Sequence, residues 1–261
     1  MRIGISTASF YPDITTEESL EVMKKLGFNI CEAFLESDYE TSSGYALSLL
    51  EKSKNLDIEI YSVHAFSPTF EPFLFDKYER RRLEMEKKFK SVCRAANILG
   101  AKYYTFHGMK NTKGKDDYKE IGKKLDYLCN IAKEYDVNLC LENVSRCKGG
   151  NLEFLSNIEK YMDNQLNYTL DLKQARRNNK SPFEYLNIYK NNIKNVHIND
   201  SLNESLCLLP GAGNDNLKEL ISSIYKLDKN IPYIIEVYRD NYKTFDEIIN
   251  SRKYLESLEV K

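Results

Sequence analysis

Short apolar, β-branched runs alternate along this chain with longer stretches in which apolar residues recur every three to four positions. That is the pattern of repeated β-α units around a parallel sheet. The runs Arg2–Ser6, Asn29–Phe34, Glu59–His64, Lys102–His107, Asn138–Glu142, Tyr168–Asp171, Asn195–Ile198 and Tyr233–Val237 are the expected strands. Helical periodicity falls on segments 16–26, 42–55, 77–99, 116–135, 151–161, 182–190, 215–228 and 244–258. Local signals agree with these limits. Thr15-Thr16-Glu17-Glu18 has a capping-box pattern, Ser181-Pro182 is a cap followed by proline at the first helical position, and Gly27 and Gly100 stand where helices should stop. Eight units close a ring, so the expected fold is α/β: a single (β/α)8 TIM barrel, one domain over residues 1–261. The bend Ser67-Pro68-Thr69-Phe70-Glu71-Pro72 is a long aromatic loop after the third strand, a candidate lid.

Composition narrows this picture without changing it. The 261 residues suit one such barrel, and 42% apolar with 30% charged residues is too polar for a membrane span. The N-terminal apolar run turns polar by Tyr11-Pro12-Asp13, too early for a targeting signal. Six cysteines without a C-x-x-C pair read as reduced thiols of a cytoplasmic protein. Lys and Arg number 38 against 39 Asp and Glu, so the global positive field of a sequence-independent DNA binder is missing.

The chemistry lies in where ionisable residues fall. All three histidines, His64, His107 and His197, stand at or next to the last residue of an expected strand, and so do Glu142, Asp171 and Glu236. In this fold those ends converge on the face that carries the active site. A strand-end acid is usually a hydrogen-bonded structural group. Several carboxylates ending apolar strands such as Leu139–Glu142 and Ile234–Glu236 share one large desolvation cost, which a divalent cation offsets for all of them at once. Carboxylates with imidazole suit Mn2+, Zn2+, Mg2+ or Co2+ alike.

At these positions Leu141-Glu142-Asn143-Val144, Thr169-Leu170-Asp171, Val196-His197-Ile198-Asn199-Asp200 and Ile235-Glu236-Val237 resemble successive motifs of the xylose-isomerase-like barrel superfamily. That group includes sugar phosphate isomerases and epimerases and the second family of AP endonucleases. The resemblance implies that Glu142, Asp171, His197 and Glu236 ligate a divalent metal, and their separations of 29, 26 and 39 residues each amount to about one β-α unit. It further implies an isomerase or epimerase acting on a sugar or sugar phosphate. Glu142 and Glu236 would exchange protons with the substrate through a metal-stabilised enediolate. His64 and His107 resemble a pair that binds a second zinc in the AP endonucleases, and otherwise would orient substrate; Glu32, Gln174 and Arg239 are further substrate-binding candidates.

The alternative is a phosphodiesterase or AP endonuclease with a two-metal site. Against it, Gln174 and Ser205-Leu206-Cys207 stand where the nuclease needs histidines for its third zinc, although Lys173, Arg176, Arg177 and Lys180 form a small basic patch. The sugar enzymes often place a histidine at Gln174 and an arginine in the loop 200–209, which has none. That loop closes with Pro210-Gly211-Ala212-Gly213, similar to the family's Pro-Gly-x-Gly element. It reads either as a tight turn or as backbone N–H groups facing a ligand anion. The expected partner is a small carbohydrate, with nucleic acid disfavoured, no membrane, and homo-oligomerisation left open.

Overall fold

A computed structural model describes residues 1–112 and 114–258. Eight parallel strands close a barrel in ring order 1-8-7-6-5-4-3-2: Arg2–Ser6, Ile30–Leu35, Glu59–Ala65, Tyr103–Phe106, Asn138–Glu142, Asn167–Asp171, Ile193–Ile198 and Pro232–Ile235. All eight expected strands are present, shifted by a residue or two at their ends. Most of the helices between them start on side-chain caps, the long helix Glu79–Leu99 being an exception. Thr15, Ser181 and Thr244 each form a capping box, while Ser42, Asp117, Asn151 and Asn216 accept from backbone N–H groups in the first turn. Gly100 ends the long helix Glu79–Leu99 at φ 73°, where a side chain would be strained.

Inward-facing positions stack in three layers. Ile30, Tyr61 and Ile234 make an apolar floor, which needs Gly4: a Cβ there would lie 2.6 Å from Ile234 Cδ1 and 2.7 Å from the Ile30 carbonyl oxygen. Above it, Glu32, Ser62, Thr105, Thr169 and Asn195 form a buried polar belt joined by side-chain hydrogen bonds. The uppermost layer holds His64, His107, Glu142, Asp171, His197 and Glu236. Register shifts at Cys31/Glu32 and at Tyr168/Thr169 give strands three and seven one extra residue each. The shifts keep Ser62 and Asn195 in phase with the belt although Tyr61 already faces the floor.

Three local expectations are corrected. A short helix, Leu172–Arg177, follows the sixth strand directly, and an antiparallel hairpin of Asp200–Leu202 and Ser205–Leu208 occupies the region read as open loop. The aromatic bend after strand three is a docked segment with Phe70, Glu71 and Leu74 buried. Its Glu71 carboxylate accepts from Tyr104 Oη at 2.6 Å, and from the His107 and Gly108 amides at 2.7 and 3.2 Å. All six cysteines are buried and unpaired. Among the described residues no helix is long and apolar enough to cross a membrane.

Candidate metal centre

Neighbouring strands deliver the four expected ligands to one place. His197 Nδ1 lies 3.0 Å from Glu236 Oε2, 3.4 Å from Glu142 Oε1 and 3.8 Å from Asp171 Oδ2. In ring order, strands seven and six carry His197 and Asp171, and strands eight and five flank them with Glu236 and Glu142. Only Glu236 opens to solvent, its side chain 14% exposed while those of Glu142, Asp171 and His197 are 2% or less. Glu142 Oε2, Asp171 Oδ2, Glu236 Oε2 and His197 Nδ1 are buried without a hydrogen-bond partner. Donor-poor oxygens and one imidazole nitrogen gathered this closely fit a hard or borderline divalent cation.

The remaining atoms of each ligand are fixed by the chain. Asp171 caps the short helix through Oδ1, which accepts from the Gln174 amide at 3.1 Å, and this leaves Oδ2 for the centre. Asn143 clamps the ends of strands five and six, donating to the Asp171 carbonyl at 2.9 Å and accepting from its amide at 2.7 Å. Asn199 reaches Asp171 Oδ1 at 3.4 Å and the Glu236 carbonyl at 3.3 Å, tying strands six and eight to seven. Gly149 packs so tightly that a Cβ would meet the Glu142 carbonyl at 2.3 Å. Neither asparagine was singled out from sequence, although both stand in the motifs that carry the ligands.

Glu32, a substrate-binding candidate in sequence, lies below the barrel mouth. It is the third residue of a six-residue strand, in the belt beneath the ligands and fully buried. Its Oε1 lies 2.9 Å from His197 Nε2, an ion pair inside the barrel. A carboxylate there keeps the proton on Nε2 and turns an unprotonated Nδ1 toward the other acids when the ring is neutral.

His64 and His107 form a second group with the outer face of Glu142. Their Nε2 atoms lie 3.6 and 2.8 Å from Glu142 Oε2 and 2.9 Å from each other, with Phe34 stacked on His64. The three are placed to share an ion of their own.

The protein's own charges govern ionisation here. Burial works against the ionised form of Glu142, but the His107 charge and contacts with all three histidines hold its carboxyl well below the usual range. Asp171 is likewise lowered, burial being outweighed by Lys173 and His197. Burial disfavours charge on His197, yet Glu236 and Glu32 raise its pKa well above the ordinary value. Glu32 falls to about 2, burial again being overcome by His197.

Lys173, read as part of a surface basic patch, is instead buried, its Nζ 3.3 Å from both Asp171 Oδ2 and Glu236 Oε1. Arg176 also turns inward, donating to Asn199 Oδ1 at 2.6 Å and to the Asn199 and Leu206 carbonyls, and pairing with Asp215. The basic patch is therefore dispersed. Gln174 Oε1 accepts from the Ser145 amide and hydroxyl, both at 3.0 Å, and Arg239 bonds Asp13 and the Tyr242 carbonyl. The amides of Gly211 and Gly213 point at an anion that the chain itself supplies, Asp200 Oδ2, at 2.9 and 3.1 Å.

Fold and site together define a (β/α)8 barrel with a carboxylate-imidazole centre at the carboxyl ends of its strands. The family described as "Xylose isomerase-like TIM barrel" matches residues 20–260, and the chain belongs to it. No curated relative matches by sequence. Among solved structures, a D-tagatose 3-epimerase-like protein superposes with TM-score 0.81 at 22% identity, covering 99% of this chain and 97% of the other. The IOLI protein with a bound zinc atom gives 0.78 at 21%, covering 99% and 98%. D-psicose 3-epimerase from Clostridium cellulolyticum H10 gives 0.77 at 16%, covering 99% and 97%. At these identities the likeness establishes the fold, and these neighbours include sugar epimerases.

Proposed function

We propose that this chain is a divalent-metal-dependent isomerase or epimerase of a sugar or sugar phosphate, with Glu142, Asp171, His197 and Glu236 as ligands and the two glutamates as proton carriers. The observation that carries it is the placement of Glu142 and Glu236 on either side of the His197–Asp171 pair, within 3.4 and 3.0 Å of the same imidazole nitrogen. A divalent ion held there would polarise two neighbouring substrate oxygens and stabilise the charge that builds on them when a C–H proton is removed. One glutamate takes that proton from one face of the carbon and the other returns one to the opposite face. Glu142, gripped by His64 and His107, enters the cycle ionised; Glu236, the ligand that opens to solvent, is the one able to exchange its proton with water. The sugars named for the neighbouring structures, tagatose, psicose and ribulose, are the first substrates to try.

Glu142→Gln and Glu236→Gln should each cut turnover by ~100-fold or more. Deuterium uptake at the epimerised carbon in D2O follows the same step directly. Near-normal turnover in both variants would sink the assignment.

The His64–His107–Glu142 group favours a second reading, two-ion phosphoester hydrolysis. Elemental analysis separates the two. One ion per chain, unchanged by His64→Ala/His107→Ala, supports the isomerase; two ions falling to one, with nicking of an abasic duplex, supports the hydrolase. The inward turn of Lys173 and Arg176 removes half of the basic patch that phosphate tracking would use.

A further inference from the structure

Lys173 is a buried cation at the centre whose role the proposed reaction leaves open. Its side chain is 3% exposed, and its ammonium sits between two carboxylates delivered by different strands, 3.3 Å from Asp171 Oδ2 and 3.3 Å from Glu236 Oε1. Among the described residues it is the only lysine or arginine ion-paired to any of the four expected ligands. The partnerless atoms of Asp171, Glu236 and His197 face the same space, Nδ1 of the ring lying 3.8 Å from Asp171 Oδ2 and 3.0 Å from Glu236 Oε2. An ammonium and a divalent cation repel strongly at such separations, and a carboxylate oxygen engaged by one is not free for the other. The other side of Nζ offers a way out, the Tyr238 ring 4.8 Å away, on a residue 48% exposed at the barrel mouth.

The geometry points to Lys173 as a built-in place-holder for the divalent ion: its ammonium bridges Asp171 and Glu236 and offsets part of their charge until the ion arrives, and the ion must displace it to bind. The inference rests on the metal-centre reading above. Such a lysine does two things at once. It spares the chain the cost of buried, uncompensated carboxylates during folding, and it weakens the affinity for metal because every binding event must break two ion pairs.

The test uses the whole chain stripped of metal with a chelator. Mn2+ is titrated by calorimetry into wild type, Lys173→Met, which keeps the volume without the charge, and Lys173→Arg. Lys173→Met should bind Mn2+ about tenfold more tightly than wild type, while its stripped form melts at a lower temperature; Lys173→Arg should bind no more tightly than wild type. Equal or weaker affinity in Lys173→Met overturns the inference. Amine acetylation of wild type read by peptide mass spectrometry decides the matter if the methionine variant does not fold. Labelling of Lys173 should rise severalfold when Mn2+ is added, and unchanged or reduced labelling overturns it. If neither wild type nor variant binds an ion, the metal-centre reading falls as well. If wild type binds and Lys173→Met is no different, only the place-holder falls.

Discussion

The placement of Glu32 under His197 makes a sharp prediction for Glu32→Gln. The fully buried carboxylate meets donors on every side: Oε2 accepts from Ser62 Oγ at 2.7 Å, Thr105 Oγ1 at 2.8 Å and Asn195 Nδ2 at 2.8 Å, while Oε1 lies 2.9 Å from His197 Nε2. A carboxylate is acceptor-only, so it satisfies this belt; an amide brings two donors of its own. Placed toward Ser62, Thr105 and Asn195, the new NH2 faces Asn195 Nδ2, which cannot turn away cheaply because Asn195 Oδ1 is engaged by the Val196 amide at 3.0 Å. The amide therefore turns its NH2 toward His197. Nε2 must then become an acceptor, the ring proton moves to Nδ1, and the nitrogen facing Glu142, Asp171 and Glu236 is no longer a ligand.

The expected loss is 10- to 100-fold in metal affinity, the usual effect of removing the carboxylate behind a ligating histidine. Stability should fall by about 1–3 kcal/mol through the mismatched buried donor. Calorimetric titration of Mn2+ or Zn2+ gives the affinity. Nitrogen-15 NMR gives the tautomer, and with three histidines in the chain His197 can be assigned by substitution. A Glu32→Gln protein with wild-type metal affinity and the proton still on His197 Nε2 would refute the reasoning.

Two further outcomes follow from buried positions elsewhere in the barrel. Burial pushes the Glu71 carboxyl up to about 7, despite its bonds to Tyr104, His107 and Gly108, from an ordinary value of 4.5. Between those two values the unfolded chain releases this proton while the folded chain keeps it, so stability should decline by up to about 3 kcal/mol as pH rises through the window and level off above it. Glu71→Gln, whose amide can donate to Tyr104 Oη while its oxygen accepts the two backbone N–H groups, should lose that decline; urea midpoints at pH values bracketing the window check it, and equal pH slopes in both proteins would count against a raised carboxyl. Gly4→Ala forces a methyl to 2.7 Å from the Ile30 carbonyl, part of the backbone, and should cost about 2 kcal/mol or more, a melting-point drop of roughly 5 °C with metal affinity unchanged.

The barrel and the ligand quartet were legible because both depend on signals that survive in one dimension. Apolar runs of four to eight residues mark buried parallel strands, and an acid or histidine closing such a run has nowhere to go but the carboxyl-end face. What escaped depended on partners from other strands. Leu172–Arg177 is too short for periodicity to show, and the inward direction of Lys173 follows from Asp171 capping that helix; in sequence, Lys173 is indistinguishable from a solvated charge. Arg176 and the Pro210–Gly213 turn looked ready for a ligand anion, yet the chain supplies Asp215 to the one and Asp200 to the other.

Glu32 read as a substrate-binding candidate because sequence shows the acid but not its depth, which depends on Ser62, Thr105 and Asn195, contributed by strands three, four and seven. A single physical rule covers these cases: each buried charge must be answered, and the sequence announces the charge but not the group that answers it. Glu32 is answered by two hydroxyls and an amide on Oε2 and by the His197 charge beside Oε1, Glu71 by a phenol and two backbone amides, and Asp200 by a turn. Glu142, Asp171 and Glu236 are answered only in part, by imidazoles and one lysine. Each keeps a buried oxygen without a hydrogen bond; those of Asp171 and Glu236 lie beside His197 Nδ1, and that of Glu142 faces His64 and His107. That shared deficit, more than any one residue's identity, argues that a cation belongs at this face of the barrel.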